Sequence, residues 1–237
     1  MQPLGYDIIQ QGENALLLNW PQRIDPAVNA AVMAAFRRLQ QLSPRWVRDL
    51  IPAYASLTIV YDALYIYAEL DKDVAGWVSL QVPALLSGTE NITATPARQI
   101  DIPVCYDPAY GLDITALAGQ KEMSVEELIA LHTGRSYTVY MLGFLPGFPY
   151  MGTVAEQLVA PRLSKPRPLV PAGSVGIAGA QTGIYPLASP GGWNIIGQTP
   201  LRMFDAAREP ASFCQPGDEV TFVPISAREF DQLKKQS

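Results

Sequence analysis

The sequence predicts an α+β chain: a small N-terminal α/β sandwich followed by a C-terminal β-barrel. Three observations lead there. Residues 1–90 alternate strand-like and helix-like patterns in the order β, β, α, β, β, α, which suits helices on one face of an antiparallel sheet. From residue 97 to 230 the apolar runs are short and broken by glycine and proline, as in closed all-β folds. Between them, Ser87 to Pro96 (SGTENITATP) is small, polar and turn-rich, and reads as a linker.

The elements follow in order. Tyr6–Ile9 and Ala15–Trp20 read as strands around a turn at Gln11–Asn14. Asp25-Pro26 is an N-cap followed by proline at the first helical position, and Val28, Val32, Ala35, Phe36 and Leu39 repeat at helical spacing. A helix from Pro26 to Leu42 follows. Val47–Pro52 and Ser56–Tyr61 read as two further strands, and Asp71 to Leu86 as a second helix that Pro83 interrupts. Beyond the linker, Arg98–Cys105 alternates as a strand, and Asp113–Gly119 is a short helix. Ser124-Val-Glu-Glu127 is a capping box opening a helix to Thr133, with Gly134 as its stop. Tyr137–Leu142, Leu201–Phe204 and Glu219–Val223 are strands, with a turn at Pro216-Gly217-Asp218, and the tail from Ser226 is a terminal helix or frayed.

Bulk properties remove several function classes. The net charge of −5 argues against non-specific nucleic-acid binding, which needs a basic face to displace counterions. Two distant cysteines, Cys105 and Cys214, make neither a disulfide framework nor a zinc site, and read as buried free thiols. The N-terminus lacks a signal-peptide pattern and no apolar run is long enough to span a bilayer, so a soluble cytoplasmic protein without membrane contact is expected. His132 is the sole histidine, which excludes a histidine-rich metal site; no metal site is expected. No G-x-S-x-G elbow and no G-x-x-x-x-G-K-[ST] loop is present.

Function is sought first between Gly143 and Thr199. This stretch holds 10 of the 18 glycines but only four charged residues, Glu156, Arg162, Lys165 and Arg167, too few for a solvated linker. Arg162, Lys165 and Arg167 lie between prolines in PRLSKPRP and are candidate contacts for a carboxylate or phosphate; the bland alternative is a solvated loop. Gln181, Tyr185 and Gln198 add hydrogen-bonding groups suited to a small polar ligand. The glycine turns Ala172–Gly176 and Ala188–Gly192 present backbone N–H groups to an oxyanion or simply close hairpins. The run with Phe144, Pro146, Phe148 and Tyr150 is a candidate partner-binding loop. His132, in the last turn of its helix, is either a helix-end cap favoured as a cation or a catalytic proton shuttle.

HTGRSYTVYMLGFLPGFPYMG, PAGSVGIAGAQTGIYPLASPGGWNIIGQTP and FCQPGDEVTFVP together resemble the B-subunit family of bacterial 5-oxoprolinase, also called KipI-like or allophanate hydrolase subunit 1. The resemblance covers nearly the whole chain. It implies that the C-terminal barrel is cyclophilin-like. It also implies a component that is not self-sufficient, opening 5-oxo-L-proline to L-glutamate with ATP, alongside a KipA-like protein and a LamB/YcsF-like protein as the other two components. On that reading His132 is catalytic, and Arg162, Lys165, Arg167, Gln181, Tyr185 and Gln198 bind substrate. ATP binds with or through a partner protein, since no P-loop is present. The alternatives are an inhibitor of a sensor histidine kinase, using the Phe144–Tyr150 loop and no catalytic residue, and a carboxyltransferase-like component of urea or allophanate metabolism. Prolyl isomerisation would rest on fold analogy alone.

Overall fold

A computed structural model describes residues 5–23, 25–87 and 97–236. All of the expected linker except Ser87 lies outside the described residues. Contacts divide the chain into two compact units, residues 1–96 and 97–237.

In the first unit, β1 (Asp7–Gln11), β2 (Ala15–Asn19), β3 (Val47–Pro52) and β4 (Ser56–Tyr61) form one antiparallel sheet in the order β1-β2-β4-β3. Alternation in β2 and β4 sends Leu16, Leu18, Leu57, Ile59 and Tyr61 to a common core. The helix α1 (Pro26–Leu42) lays Val28, Val32, Ala35 and Leu39 onto it. Its start follows the sequence signal: Asp25 Oδ1 accepts from Ala27 N–H at 2.8 Å, and Pro26 occupies the first turn, where no donor is lost.

One expectation changes here. Two helices, not one, follow β4: α2 (Ala63–Glu69) and α3 (Val74–Leu86). The sequence ALYIYAE shows no apolar face, because the helix buries only Ile66; its local signal is the cap, Asp62 Oδ1 accepting from Tyr65 N–H. Pro83 does not break α3, whose buried Val78, Val82 and Leu86 hold it against the core across the lost donor.

The second unit is a closed barrel of β5 (Gln99–Cys105), β6 (Ser136–Leu142), β7 (Pro149–Gly152), β9 (Ser174–Ala178), β10 (Gln181–Ile184), β12 (Asn194–Gln198) and β13 (Glu219–Ile225). The order around it is β10-β7-β6-β13-β5-β12-β9. β5 and β13 pair in parallel over seven residues, and the other pairs are antiparallel. The connection from β5 to β6 carries α4 (Ile114–Gln120) and α5 (Val125–Thr133), the latter opened by the expected capping box with both hydrogen bonds made. Outside the barrel, β8 (Arg167–Val170) and β11 (Ser189–Gly191) form a two-stranded ribbon, and α6 (Ala227–Lys234) closes the chain behind a second capping box.

The strand expected at Leu201–Phe204 does not form. Pro200 offers no N–H to a ladder, and residues 203–213 are tied by a single bridge, Phe204 to Ser212, plus scattered backbone bonds such as Phe213 N–H to Met203 O. Cys105 and Cys214 are both buried and free, and burial pushes the Cys214 thiol up to about 12.

Candidate functional site

The barrel interior and its outer wall each gather aromatic and polar groups. His132 belongs to the interior. It is fully buried, stacked on Phe222 at 4.5 Å and flanked by Tyr106 and Tyr137. Its Nδ1 lies 2.8 Å from Tyr106 Oη and its Nε2 3.0 Å from Thr182 Oγ1. The Thr182 hydroxyl donates to Gly176 O at 3.1 Å, so its oxygen is left to accept from His132 Nε2–H, and His132 Nδ1 accepts from Tyr106. Tyr137 Oη donates to the His132 carbonyl. Burial drives the imidazole down to about 3 and raises the Tyr106 phenol well above its ordinary value. This corrects both sequence readings of His132. The ring neither caps the helix end as a cation nor reaches solvent to shuttle protons; it is a neutral link in a closed hydrogen-bond chain.

The outer wall is built by the loop between β6 and β7 and by the segments flanking β10 and β12. Phe148 is its hub, meeting Phe144, Tyr185 and Trp193 edge-on at ring separations of 5.6, 5.3 and 5.3 Å, and Tyr150 tilted at 4.7 Å. Phe148 is 1% exposed, so it is a core residue and not a partner contact as expected. Phe144 is 62% exposed and Pro146 is exposed, while Tyr150 is half-buried. Phe144 holds a left-handed backbone at φ 65°, which a bulky residue adopts only when its surroundings impose it. The short bonds Leu145 N–H to Gly143 O and Phe148 N–H to Leu145 O fold the loop tightly enough to do so.

Tyr185 sits against the ribbon. A Cβ on Gly191 would overlap the Tyr185 hydroxyl and ring, so glycine is what lets β11 pass so close. Burial raises the Tyr185 phenol, opposed by the Trp193 backbone N–H and by Arg162 and Arg167. Burial likewise raises Tyr150, again opposed by Arg162. One exposed guanidinium therefore acts on two phenols. Among the described residues Arg162 and Lys165 make no ion pair, and the loop carrying them is pinned by Leu163 N–H to Gly192 O and by Asn194 Nδ2 to Pro161 O.

Arg167 stands differently from its two neighbours. Both terminal nitrogens bond Asp113, Nη1 to Oδ2 at 2.8 Å and Nη2 to Oδ1 at 2.5 Å, with Oδ2 also accepting from Ile195 N–H at 2.7 Å. Asp113, which precedes α4, thus ties the ribbon strand β8 to the barrel strand β12. Gln181 and Gln198 lie toward opposite ends of β9, paired with Ala178 and Ser174, so the structure does not bring them together. Gln198 is further occupied in donating to Ala172 O. The turn glycine Gly173 donates its N–H to Tyr185 O, closing a hairpin and leaving it unavailable to an oxyanion.

Sequence reasoning did not find Asp113 or Tyr106. Asp113 and Arg167 are 54 residues apart, and the one local hint is a lone carboxylate in the apolar run GLDITALA.

Comparison with known proteins fits this architecture. Residues 6–214 match the family model for the carboxyltransferase domain, subdomain C and D. The chain is 39% identical to the 5-oxoprolinase B subunit of Bacillus subtilis over 98% of both chains, and 35% identical to that of Haemophilus influenzae over 92% of this chain and 97% of that one. Among solved structures, TTHA0988 is 35% identical with a TM-score of 0.77 over 90% of this chain, which spans 40% of that longer protein. Kluyveromyces lactis urea carboxylase, at 16% identity and a TM-score of 0.71, shares the fold; this chain spans 23% of it.

Proposed function

The chain belongs to the 5-oxoprolinase B-subunit family, and from that premise we propose that it supplies part of the substrate site of a cytoplasmic, ATP-dependent 5-oxoprolinase. The observation that carries this reading is the exposed Arg162, which makes no ion pair among the described residues and whose charge reaches the half-buried Tyr150 phenol. A guanidinium binds a carboxylate in bidentate fashion, which suits the carboxylate of 5-oxoproline; Tyr185, 1% exposed, packs within the wall and is not the substrate contact the sequence suggested. Lys165, on the same loop, adds positive charge. Arg167 acts through the ribbon, held by Asp113, and Gln181 and Gln198 are left out of the site.

The reaction needs more than these groups. A lactam carbonyl resists water. Transfer of the ATP γ-phosphoryl group to the lactam oxygen, with ADP leaving, makes its carbon electrophilic. Water then adds, the ring C–N bond breaks with the nitrogen taking the proton, and a second water releases phosphate. Arg162 and Lys165 match one carboxylate better than a triphosphate, so ATP is assigned to a partner protein or a shared interface. The KipA-like and LamB/YcsF-like components are the partners this reading requires, and the exposed Phe144 and Pro146 supply a contact surface for one of them.

The test is ATP-dependent glutamate release from 5-oxoproline with the partner proteins, with and without this chain. Release should depend on the chain, and Arg162→Ala should lower it about tenfold or more, the scale of one lost charge-assisted contact. Release independent of this chain would overturn the reading and favour a pure binding protein acting through Phe144.

A further inference from the structure

A groove opens on the barrel unit; Gln198 lines it, while Arg162, Lys165, Arg167 and Tyr185 do not. Its volume is about 370 Å³, within the range of small-molecule sites. Its walls are backbone at close quarters: Gly173 N–H donates to Tyr185 O at 2.7 Å and Thr199 N–H to Gly173 O at 2.9 Å. Gly173 has φ +82°, and a Cβ there would run into Thr199 O. The wall is therefore fixed by hydrogen bonds rather than by movable side chains.

The floor and sides are apolar, with Pro186, Leu187, Phe204 and Phe230. Leu187 is 42% exposed, although it follows the buried Tyr185-Pro186 pair. Two cations stand at the groove, Arg202 and Lys234. Lys234 lies one helical turn beyond Phe230 on α6, its Nζ 5.5 Å from the ring centroid, which holds the ammonium over the apolar floor. Arg202 pairs with Asp205 at 3.0 Å, and that carboxylate also accepts from Ala207 N–H. Among the described residues no carboxylate lines the groove. In a chain with 22 acidic and 17 basic side chains, a lining with cations only runs against composition.

We propose that this groove binds a small organic monocarboxylate carrying an apolar ring or short alkyl body. The charge argues for one carboxylate: two cations, one of them compensated by Asp205, leave a single positive charge to be met. The apolar floor argues for a body with few polar atoms, since an unpaired polar group placed there would lose its water without a partner. The site is independent of the oxoprolinase reading and stands or falls separately.

The experiment uses the full chain and 4-fluorobenzoate as probe, followed by ligand-observed ¹⁹F relaxation, with 4-fluorobenzamide as the neutral counterpart. Saturable binding of the acid is expected, about tenfold weaker binding of the amide, and a similar loss for the acid in the double variant R202A/K234A. Both side chains are exposed, so that variant should keep its unfolding midpoint. Leu187→Asp should weaken the acid at least as much, by placing a like charge in the groove. Equal binding of acid and amide, no response to R202A/K234A, or no saturable binding in the millimolar range would each overturn the proposal.

Discussion

The interior at His132 and the outer wall at Tyr185 are made from the same kinds of residue, yet they do opposite things. Inside the barrel, Tyr106, His132, Thr182 and Gly176 O hand one hydrogen bond to the next until every polar atom of the ring is used. On the wall, Arg162 is exposed and makes no ion pair among the described residues, and Phe144 faces solvent. Titratable chemistry alone does not mark a site. Polar groups that close on each other build structure, and polar groups left facing outward are available to a ligand.

The sharpest way to break this contrast is acid. His132 titrates near 3 in the fold against 6.5 when unfolded. Its folded pKa is depressed, so the unfolded chain binds the extra proton between those values. The stabilisation is complete above about pH 6.5 and is lost as pH falls toward 3. At pH 4.5 this amounts to about 3 kcal/mol, rising to about 5 kcal/mol at the lower end. Urea unfolding across this range should show that slope, and His132→Gln, with no group titrating there, should flatten it at a lower plateau. A slope unchanged in the variant would mean that the ring is open to solvent and that the interior is a site after all.

Why one half of this contrast was legible in sequence and the other was not is a matter of range. α1 and the capping box of α5 are local: Asp25-Pro26 and Ser124 with Glu127 act within one turn, and they stand where the pattern puts them. The glycine-rich stretch does build the aromatic wall, because close approaches such as Gly191 against Tyr185 are written in composition. The fate of His132 was invisible, since Tyr106 and Thr182 reach it from 26 and 50 residues away and nothing adjacent predicts either bond. The helix α2 was missed for a milder reason: a seven-residue segment with one buried side chain leaves no periodicity to read.

Two substitutions probe how the wall is held. Arg167→Gln leaves the nearly buried Asp113 with little beyond Ile195 N–H, and should cost about 2–3 kcal/mol, below the full penalty for a wholly buried pair because Arg167 is 28% exposed. Gly191→Ala pushes a methyl into the Tyr185 ring and should cost about 1–3 kcal/mol, with a change in the near-ultraviolet circular dichroism of the Tyr150, Tyr185 and Trp193 cluster. Unaltered dichroism in Gly191→Ala would show that Tyr185 is not held against the ribbon.

Arg162→Ala makes the smallest structural change, and that is its value. The side chain is exposed, and its loop is pinned by the backbone of Leu163 and by Asn194 rather than by the guanidinium. Its removal should move stability by less than about 0.5 kcal/mol, as for surface changes away from special features. Removing a nearby positive charge should also let the Tyr150 and Tyr185 phenols rise, since Arg162 now holds both down against burial. Ultraviolet titration of the phenolate band reads this shift in the folded chain without any substrate. A variant that keeps its stability while both phenols shift upward makes Arg162 the wall's outward-facing charge. One that keeps its stability with neither phenol moved would detach Arg162 from the tyrosines, and with it the contrast between the closed interior and the open wall.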